Sequence, residues 1–218
     1  MTGQPLAKAV AAEHGTARQK LVDAASQAGS NSDDQTALKL YKEALSTTPK
    51  GPDTDDANIL SCMSQSYLAL RQYSDSIKVL DQAIALRKNP TTKEMKKSLA
   101  WFYYQKSKPE IALRQWDRAI ADLTTTIELD PLDAGYPSSR GKLYAKVGRN
   151  NDAVNDLTKS LALSEAEMSG KLTKRYAFKT RAGRIETLYE RAKAYKSLGK
   201  MKEYNQDFAE ANKLTDSL

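Results

Sequence analysis

The residue types that carry out covalent catalysis are scarce in this sequence of 218 residues. His14 is the single histidine and Cys62 the single cysteine, so one chain cannot assemble a histidine-based triad or a multi-histidine metal site. The Gly-Lys pairs that begin at Gly141 and Gly170 lack the upstream glycine and the following Ser or Thr of a phosphate-binding loop. The pattern predicts a protein that is not an enzyme and that needs no cofactor and no metal.

Positive charge is the chemistry that the sequence does concentrate. Residues 168–184, MSGKLTKRYAFKTRAGR, hold six basic residues and no acid, in a chain of formal net charge +7. Basic side chains interleaved with Tyr176 and Phe178 could contact phosphates and stack on bases, or lie against an acidic membrane or protein surface. The alternative, which the pattern favours, is a solvated helix. The basic residues of this patch are Lys171, Lys174, Arg175, Lys179, Arg181 and Arg184.

Composition places the chain among ordinary globular proteins, with 40% hydrophobic and 28% charged residues. A lone cysteine rules out an intramolecular disulfide and favours a reducing compartment. The N-terminus has no apolar run that would serve as a secretory signal, and no window approaches the ~18 apolar residues that a membrane span needs. We therefore expect a soluble cytoplasmic protein without a transmembrane segment.

The elements that would position the charged side chains are pairs of amphipathic helices. Within residues 139–163, Gly141 is followed by Tyr144 and then by a second glycine, Gly148, before apolar residues return at helical spacing around Leu157. Both halves have a 3.6-residue period, which predicts two helices joined by a tight turn. The small residue allows the two helix axes to approach closely.

The same order of residues recurs along the chain. The small-residue position of Gly141 is taken in other units by Ser64, Ala100, Ala192 and, in the weakest unit, Ala25. The tyrosine that follows three residues later recurs as Tyr67, Tyr103 and Tyr195, with Ala28 in the weakest unit. This recurrence predicts a stack of similar helix pairs.

The middle unit, residues 93–133, is longer than its neighbours. Ser107 and Glu110 have the spacing of a capping box, and Pro109 is tolerated in the first turn of a helix. We therefore expect the second helix of this unit to begin near residue 108 and to run to about residue 129. Residues 168–184 are expected to extend the first helix of the final unit, and residues 1–16 to form an N-terminal extension whose composition allows disorder.

These units resemble tetratricopeptide repeats (TPR). The resemblance covers a domain of residues 17–218 with about five repeats, near 18–51, 57–90, 93–133, 134–167 and 185–218. It implies an all-α, right-handed superhelical solenoid in which the first helices of the repeats line a concave face. The last repeat departs from the family pattern at two positions. Tyr204 stands where Ala is preferred, which predicts a splayed helix pair. Asn212 stands where Leu or Ile is usual, which suits a terminal repeat whose outer face meets water.

The resemblance also implies which side chains line the concave groove. Lysines there would attract an acidic partner segment, and aromatic rings would supply contact area. The alternative is that the lysines are a solvated helix face and that Trp101 and Tyr104 pack in the core. The resemblance also places Cys62 and Trp101 on the inward-facing side. The predicted partner-binding residues of the groove are Asn58, Gln65, Lys97, Tyr104, Ser139, Lys142, Lys146, Tyr189, Lys193 and Lys196.

Chaperone-binding members of the TPR family clamp a C-terminal carboxylate with Lys, Asn and Arg side chains. Here Trp101 stands where Asn is needed, and Glu186 and Glu190 stand where cations are needed, so the pattern disfavours such a clamp. We therefore predict a scaffold or adaptor that holds a partner protein, through an acidic segment, and catalyses nothing. The alternatives are a permanent subunit of a larger assembly, or an adaptor that binds RNA or an acidic membrane through residues 168–184, although nucleic acid is not favoured.

Overall fold

A computed structural model describes residues 4–47, 55–169 and 181–216. This part of the chain contains ten α-helices and no strand. The helices are α1 (Gln4–Ser30), α2 (Asp34–Ser46), α3 (Asp56–Ala69), α4 (Tyr73–Leu86), α5 (Lys93–Ala112), α6 (Trp116–Leu129), α7 (Gly135–Lys146), α8 (Asn150–Met168), α9 (Arg181–Ser197) and α10 (Met201–Thr215).

Each short turn between paired helices contains a single residue with positive φ. Where the turn contains glycine, at Gly148 and Gly199, the left-handed conformation carries no steric cost. The residue after it donates its backbone N–H to the carbonyl of the recurring tyrosine, as Arg149 does to Tyr144 at 2.8 Å. This bond satisfies a carbonyl that the helix end would leave free. The other positive-φ residues are Ser32, Arg71 and Arg114.

The chain forms two compact units, and each has its own core. Unit 1, residues 1–114, contains α1–α5, and one continuous apolar cluster that includes Tyr41, Ile59, Met63 and Phe102 fills it. Each helix contributes a stripe at helical spacing: α4 buries Ser76, Val79, Leu80 and Ala83.

Unit 2, residues 115–218, contains α6–α10 and holds its apolar residues in separate clusters. One joins Tyr144, Ala153 and Leu157 to Ala194 of α9, and another joins Leu161, Leu188 and Ala211. A Cβ added at Gly141 would lie only 2.8 Å from Leu157 Cγ, so the close approach of α7 and α8 that the sequence predicted is present.

The predicted start of a long second helix near residue 108 is wrong. Helix α5 continues through Pro109 to Ala112, and α6 begins at Trp116. Ser107 does not cap a helix, since its hydroxyl donates to the carbonyl of Tyr104 at 2.7 Å and Glu110 is buried within α5. The extra turns therefore lengthen the first helix. Pro109 has no N–H to donate to the carbonyl of Gln105, so α5 loses one bond of its hydrogen-bond ladder in its last two turns.

Two chain regions were expected to lie outside the repeats, residues 1–16 and residues 168–184. Helix α1 begins at Gln4, so residues 4–16, rich in good helix formers and with Pro5 in the first turn, lie in the same helix as the first repeat. Helix α8 ends at Met168 and α9 begins at Arg181. The predicted helical extension between them falls mostly on residues 170–180, outside the described part of the chain.

The last helix pair is not splayed. Ala192 and Ala211, on α9 and α10, are 1% and 0% exposed, which requires the two helices to lie close together. Arg191 Nε and Nη2 reinforce the pair by donating to the two carboxylate oxygens of Asp207, each at 2.7 Å. The bulk of Tyr204 is accommodated at the surface, where its ring stacks on Phe208 with centroids 5.6 Å apart.

Candidate partner-binding surfaces

The lysines predicted to line the groove in unit 2 lie on two neighbouring first helices. Helices α7 and α9 meet through Ser138 and Thr187, whose hydroxyl oxygens are 3.3 Å apart. An ion pair of 2.7 Å between Lys142 Nζ and Glu186 Oε1 also joins them. Since Lys146 follows Lys142 by one turn, the two belong to the same face of α7.

Each of these lysines has a local partner that competes with any ligand. Besides the Lys142 pair, Lys193 Nζ lies 2.8 Å from Glu190 although 68% of the lysine side chain is exposed. Lys146 Nζ lies 4.8 Å from the ring centroid of Trp116, and Lys196 Nζ lies 5.6 Å from that of Tyr204. Exposed ion pairs contribute about 0–1 kcal/mol, so an incoming carboxylate can replace them at little cost.

The two remaining groove residues of unit 2 are held by their own helix pair. Ser139 donates its hydroxyl to the carbonyl of Gly135 at 2.9 Å. Tyr189 donates its hydroxyl to Asn212 Oδ1 at 2.6 Å, and its ring meets Phe208 edge-on with centroids 5.6 Å apart. Tyr189 is therefore fastened to α10 and forms part of the surface that α9 and α10 share.

Unit 1 presents its predicted groove residues on α3 and α5. Asn58 is exposed and donates to Asp55 at the start of α3, Gln65 is exposed, and Lys97 and Tyr104 are half-buried. Trp101 is 40% exposed, so the alternative that placed it in the core is wrong. Its ring centroid lies 5.6 Å from that of Tyr104.

Lys108 belongs to the same face of α5, although sequence reasoning missed it. Its ammonium lies 4.8 Å from the ring centroid of Tyr104 and 5.7 Å from that of Trp101, and it donates to Gln105 Oε1 at 2.5 Å. Burial lowers the pKa of this lysine because the charged form loses hydration. The spacing of residues 101, 104 and 108, which is that of one helix face, was the available signal.

Two arginines of unit 2 form equivalent ion pairs and hydrogen bonds between helices, and sequence reasoning missed both. Arg140 donates from Nε and Nη2 to Asp156 at 2.7 and 2.8 Å and from Nη1 to Thr124 at 2.9 Å. The hydrogen bond to Asp156 raises the pKa of the Arg140 guanidinium. Because Thr124 belongs to α6 and Asp156 to α8, Arg140 joins its own helix pair to the preceding helix.

Arg191 repeats this arrangement one repeat later. It binds both oxygens of Asp207 and donates from Nη1 to Thr158 of α8 at 3.0 Å. Burial lowers the pKa of Arg191, but the bond to Asp207 and its negative charge raise it, and the net direction is upward. An Arg directly before the small residue and an Asp sixteen positions later was the signal available in the sequence.

The remaining chemical candidates offer little reactivity. Burial raises the pKa of the Cys62 thiol, which disfavours the reactive thiolate. No group of three or more His, Cys, Asp or Glu side chains that could hold a metal ion occurs in the described residues.

The predicted basic patch is mostly beyond what the structure describes. Lys171, Lys174, Arg175 and Lys179 lie outside the described residues, and the side chain of Arg181 is not described either. Arg184 is described, and its Nη2 lies 2.7 Å from Glu210 Oε1. None of the helices, as far as the structure describes them, combines the length and the apolar character needed to cross a bilayer.

Comparison with known proteins identifies the fold through structure alone. No family model matches the sequence, and no curated protein matches it. The crystal structure of BtubC (BKLC) from P. vanneervenii is similar, with a TM-score of 0.79 and 16% identity over 98% of this chain and 85% of that chain. A kinesin light chain from Podospora anserina with nearly identical TPR-like repeats gives 0.70 and 16% over 94% and 97%.

MamA is a further structural neighbour, with a TM-score of 0.66 and 18% identity over 88% of this chain and 95% of MamA. At these identities the likeness concerns the fold. The chain has the all-α repeat solenoid fold of TPR-type proteins, and the fold class predicted from the recurring small residues and tyrosines is confirmed.

Proposed function

We propose that this protein is a non-catalytic interaction scaffold that holds an acidic segment of a partner protein against the first helices of its repeats. The TPR-type fold supports the general part of the proposal, because stacked helix pairs present the faces of their first helices as extended binding surfaces. The acidic character of the partner is inferred from the side chains on those faces.

The observation that carries the proposal is the pair of lysines on each of two adjacent first helices. Lys142 and Lys146 on α7 and Lys193 and Lys196 on α9 lie one helical turn apart within each helix. Their partners are ring faces or carboxylates, and the side chains of the two acids, Glu186 and Glu190, are 59% and 27% exposed. Carboxylates of a partner can take over these contacts and gain attraction from all four ammonium groups.

Fluorescence anisotropy with a defined probe tests the proposal. The probe is a labelled peptide that repeats Asp-Glu-Leu-Glu, and its control carries Gln in place of every acid. Charge reversal of the four lysines (K142E, K146E, K193E, K196E) should weaken binding of the acidic probe by about tenfold or more, since four attractions become repulsions. The Gln probe should bind neither protein measurably.

A matched control separates this surface from net charge. Lys39, Lys78, Lys159 and Lys202 are exposed on the second helices α2, α4, α8 and α10, and reversing all four changes the net charge by the same amount. This control should retain binding within about threefold at physiological salt, where screening limits distant charges. Equal losses in the two variants, or no binding by wild type, would remove the proposal.

A gain-of-function variant gives a second test. Glu186→Gln and Glu190→Gln together remove the acids that occupy Lys142 and Lys193. Because the probe no longer competes with these acids, it should bind a few-fold more tightly than to wild type. Weaker or unchanged binding would show that the lysines are not the contact points.

A further inference from the structure

The junction between α9 and the preceding helix pair shows which positions of a first helix meet its neighbour. Three of the α9 residues that make these contacts lie on one stripe: Thr187 lies 3.3 Å from Ser138, Arg191 donates to Thr158, and Ala194 packs in the cluster of Tyr144, Ala153 and Leu157. The three occupy positions i, i+4 and i+7 of the helix. Glu186, paired with Lys142, and Leu188, packed with Leu161, add to the junction. The stripe of Thr187, Arg191 and Ala194 is the template for any helix that stacks on a repeat in the same register.

The α9–α10 pair has a surface that corresponds to the one on α7–α8 that α9 packs against, but with different side chains. In the repeat register Tyr189 replaces Ser138, Ala209 replaces Thr158, and Phe208 replaces Leu157. Leu157 is fully buried, whereas Phe208 is 41% exposed and Ala209 is exposed. Tyr204 stacks on Phe208 and stands in the position of the buried Ala153. The surface is an aromatic patch (Tyr189, Tyr204, Phe208) beside a small residue, Ala209.

The N-terminal helix α1 carries the complementary stripe. Aligned on the buried Ala25 and Ala192, the positions of Thr187, Arg191 and Ala194 are taken in α1 by Lys20, Ala24 and Gln27. All three are exposed. The position of Arg191 is the informative one. At the internal junction Arg191 lies opposite Thr158 and donates to it, whereas Ala24 of α1 and Ala209 of α10 occupy the two corresponding positions.

We propose that the α1 stripe of one copy of this chain docks on the α9–α10 aromatic patch of a second copy, head to tail. Ala24 meets Ala209, and two small residues let the helices approach closely. Lys20 then lies over the ring of Tyr189, and the amide of Gln27 lies over Phe208 and Tyr204. The ammonium of Lys20 and the amide N–H of Gln27 are both attracted to aromatic faces. Ala24 and Ala209 contribute close packing.

The two ends fit each other better than they fit a further repeat of the α9 type. An arginine at the Ala24 position would meet Ala209, which has no side-chain acceptor, and would lose the bond that Arg191 makes to Thr158. The contact is heterologous, so a dimer still has one free α1 stripe and one free aromatic patch, to which further copies can add. One helix docked on one patch is a small interface, and we expect dissociation constants of roughly 10–100 µM.

Single-end variants test this contact by light scattering after gel filtration and by sedimentation, from about 10 µM to about 1 mM protein. Ala24→Arg blocks the α1 end, and Phe208→Glu blocks the α10 end. Both residues are exposed, so the fold should survive, which circular dichroism checks. The matched controls are Ala85→Arg and Leu86→Glu, since both residues are exposed on α4.

The mixing experiment gives the decisive result. Wild type and both controls should form oligomers as concentration rises, whereas each single-end variant should stay monomeric. An equimolar mixture of the two variants should form a dimer and nothing larger, because each contributes its one intact end. Monomeric wild type, association that survives in either variant, or association lost equally in the controls would overturn the proposal. A variant with only Lys142 and Lys146 reversed, whose contacts are Glu186 and Trp116 and not the aromatic patch, should associate like wild type, so failure of the scaffold proposal is a separate outcome.

Discussion

In unit 1, Met63 and Val79 occupy the register positions that Arg140 and Asp156 occupy in unit 2. The apolar residues are 3% and 8% exposed and belong to one continuous core. The charged residues form a bidentate ion pair whose side chains are 18% and 9% exposed. The repeat register therefore specifies where two helices touch, but either packing or a buried ion pair can make the contact.

The same comparison extends to buried cations and to turns. Lys108 in unit 1 is half-buried against rings and an amide, and its pKa is lowered, whereas the Asp-bound Arg140 in unit 2 has a raised pKa. The turns of unit 1 put Arg71 and Arg114 in the left-handed conformation that glycine supplies in unit 2. Unit 1 thus combines a continuous core with backbone strain at its turns and a charge cost at Lys108.

The largest expected effect comes from breaking the ion pair of unit 2. Arg140→Met leaves the carboxylate of Asp156 buried without its partner, which should lower the free energy of unfolding by about 3 kcal/mol. Adding Asp156→Val gives the Met and Val pair that unit 1 has at Met63 and Val79. The double variant should have a free energy of unfolding within about 1 kcal/mol of wild type. Urea denaturation measures both. A neutral single variant, or a double variant as unstable as the single, would contradict the comparison.

The next effect concerns the close approach of α7 and α8. Gly141→Leu forces a side chain into a contact where even a Cβ would lie 2.8 Å from Leu157 Cγ, and it should cost about 1–3 kcal/mol through overpacking. Thermal unfolding followed by circular dichroism checks this. As a control, Gln65→Leu places leucine at an exposed position of α3 and should be close to neutral. Equal stability of the Gly141 variant and wild type would rule out the tight contact.

The turn residues should respond with opposite signs in the two units. Arg71→Gly relieves a left-handed non-glycine residue with φ of 58° and should stabilise by up to about 1 kcal/mol. Gly148→Ala imposes the same strain and should destabilise by about 1 kcal/mol, although nothing lies within 4 Å to clash with the new Cβ. Chemical denaturation of both variants gives the comparison, and shifts of the same sign would refute it.

The smallest effect is the pH dependence that Lys108 contributes. Its pKa in the folded protein is below the unfolded value of about 10.4, so the protonated form opposes folding. The free energy of unfolding should gain a rising contribution as pH passes from the folded-state pKa to the unfolded value. Lys108→Met should lack this rise. Denaturation curves at pH steps across that window, wild type minus variant, isolate it; a flat difference would contradict the lowered pKa.

Periodicity and small residues were enough to predict the repeats, because close helix packing restricts residue size in a way that sequence displays. Gly141, Ala192 and the tyrosines behind them carried that prediction. The boundary of α5 could not be predicted, since Ser107 and Glu110 have the spacing of a cap whether they face solvent at a helix start or lie buried inside one. Burial, which decides between the two, depends on the neighbouring helices.

The site was predicted in part. Placement of lysines on the first helices followed from the register, and Lys142, Lys146, Lys193 and Lys196 do lie on α7 and α9. The partners of Lys142 and Lys146 could not be foreseen, because Glu186 and Trp116 are brought near them by packing between helices. The partner of Lys193 could have been, since Glu190 lies three residues before it. That these lysines bind a partner stays a prediction.

The most direct test of the scaffold proposal identifies the residues that contact the acidic peptide. Amide chemical shifts of isotope-labelled protein would be followed during titration with the Asp-Glu-Leu-Glu peptide. We expect the largest shifts on α7 and α9 around Lys142, Lys146, Lys193 and Lys196, and we expect them to vanish with the Gln-substituted peptide. Shifts concentrated on the second helices α8 and α10, or no shifts at all, would contradict the scaffold proposal.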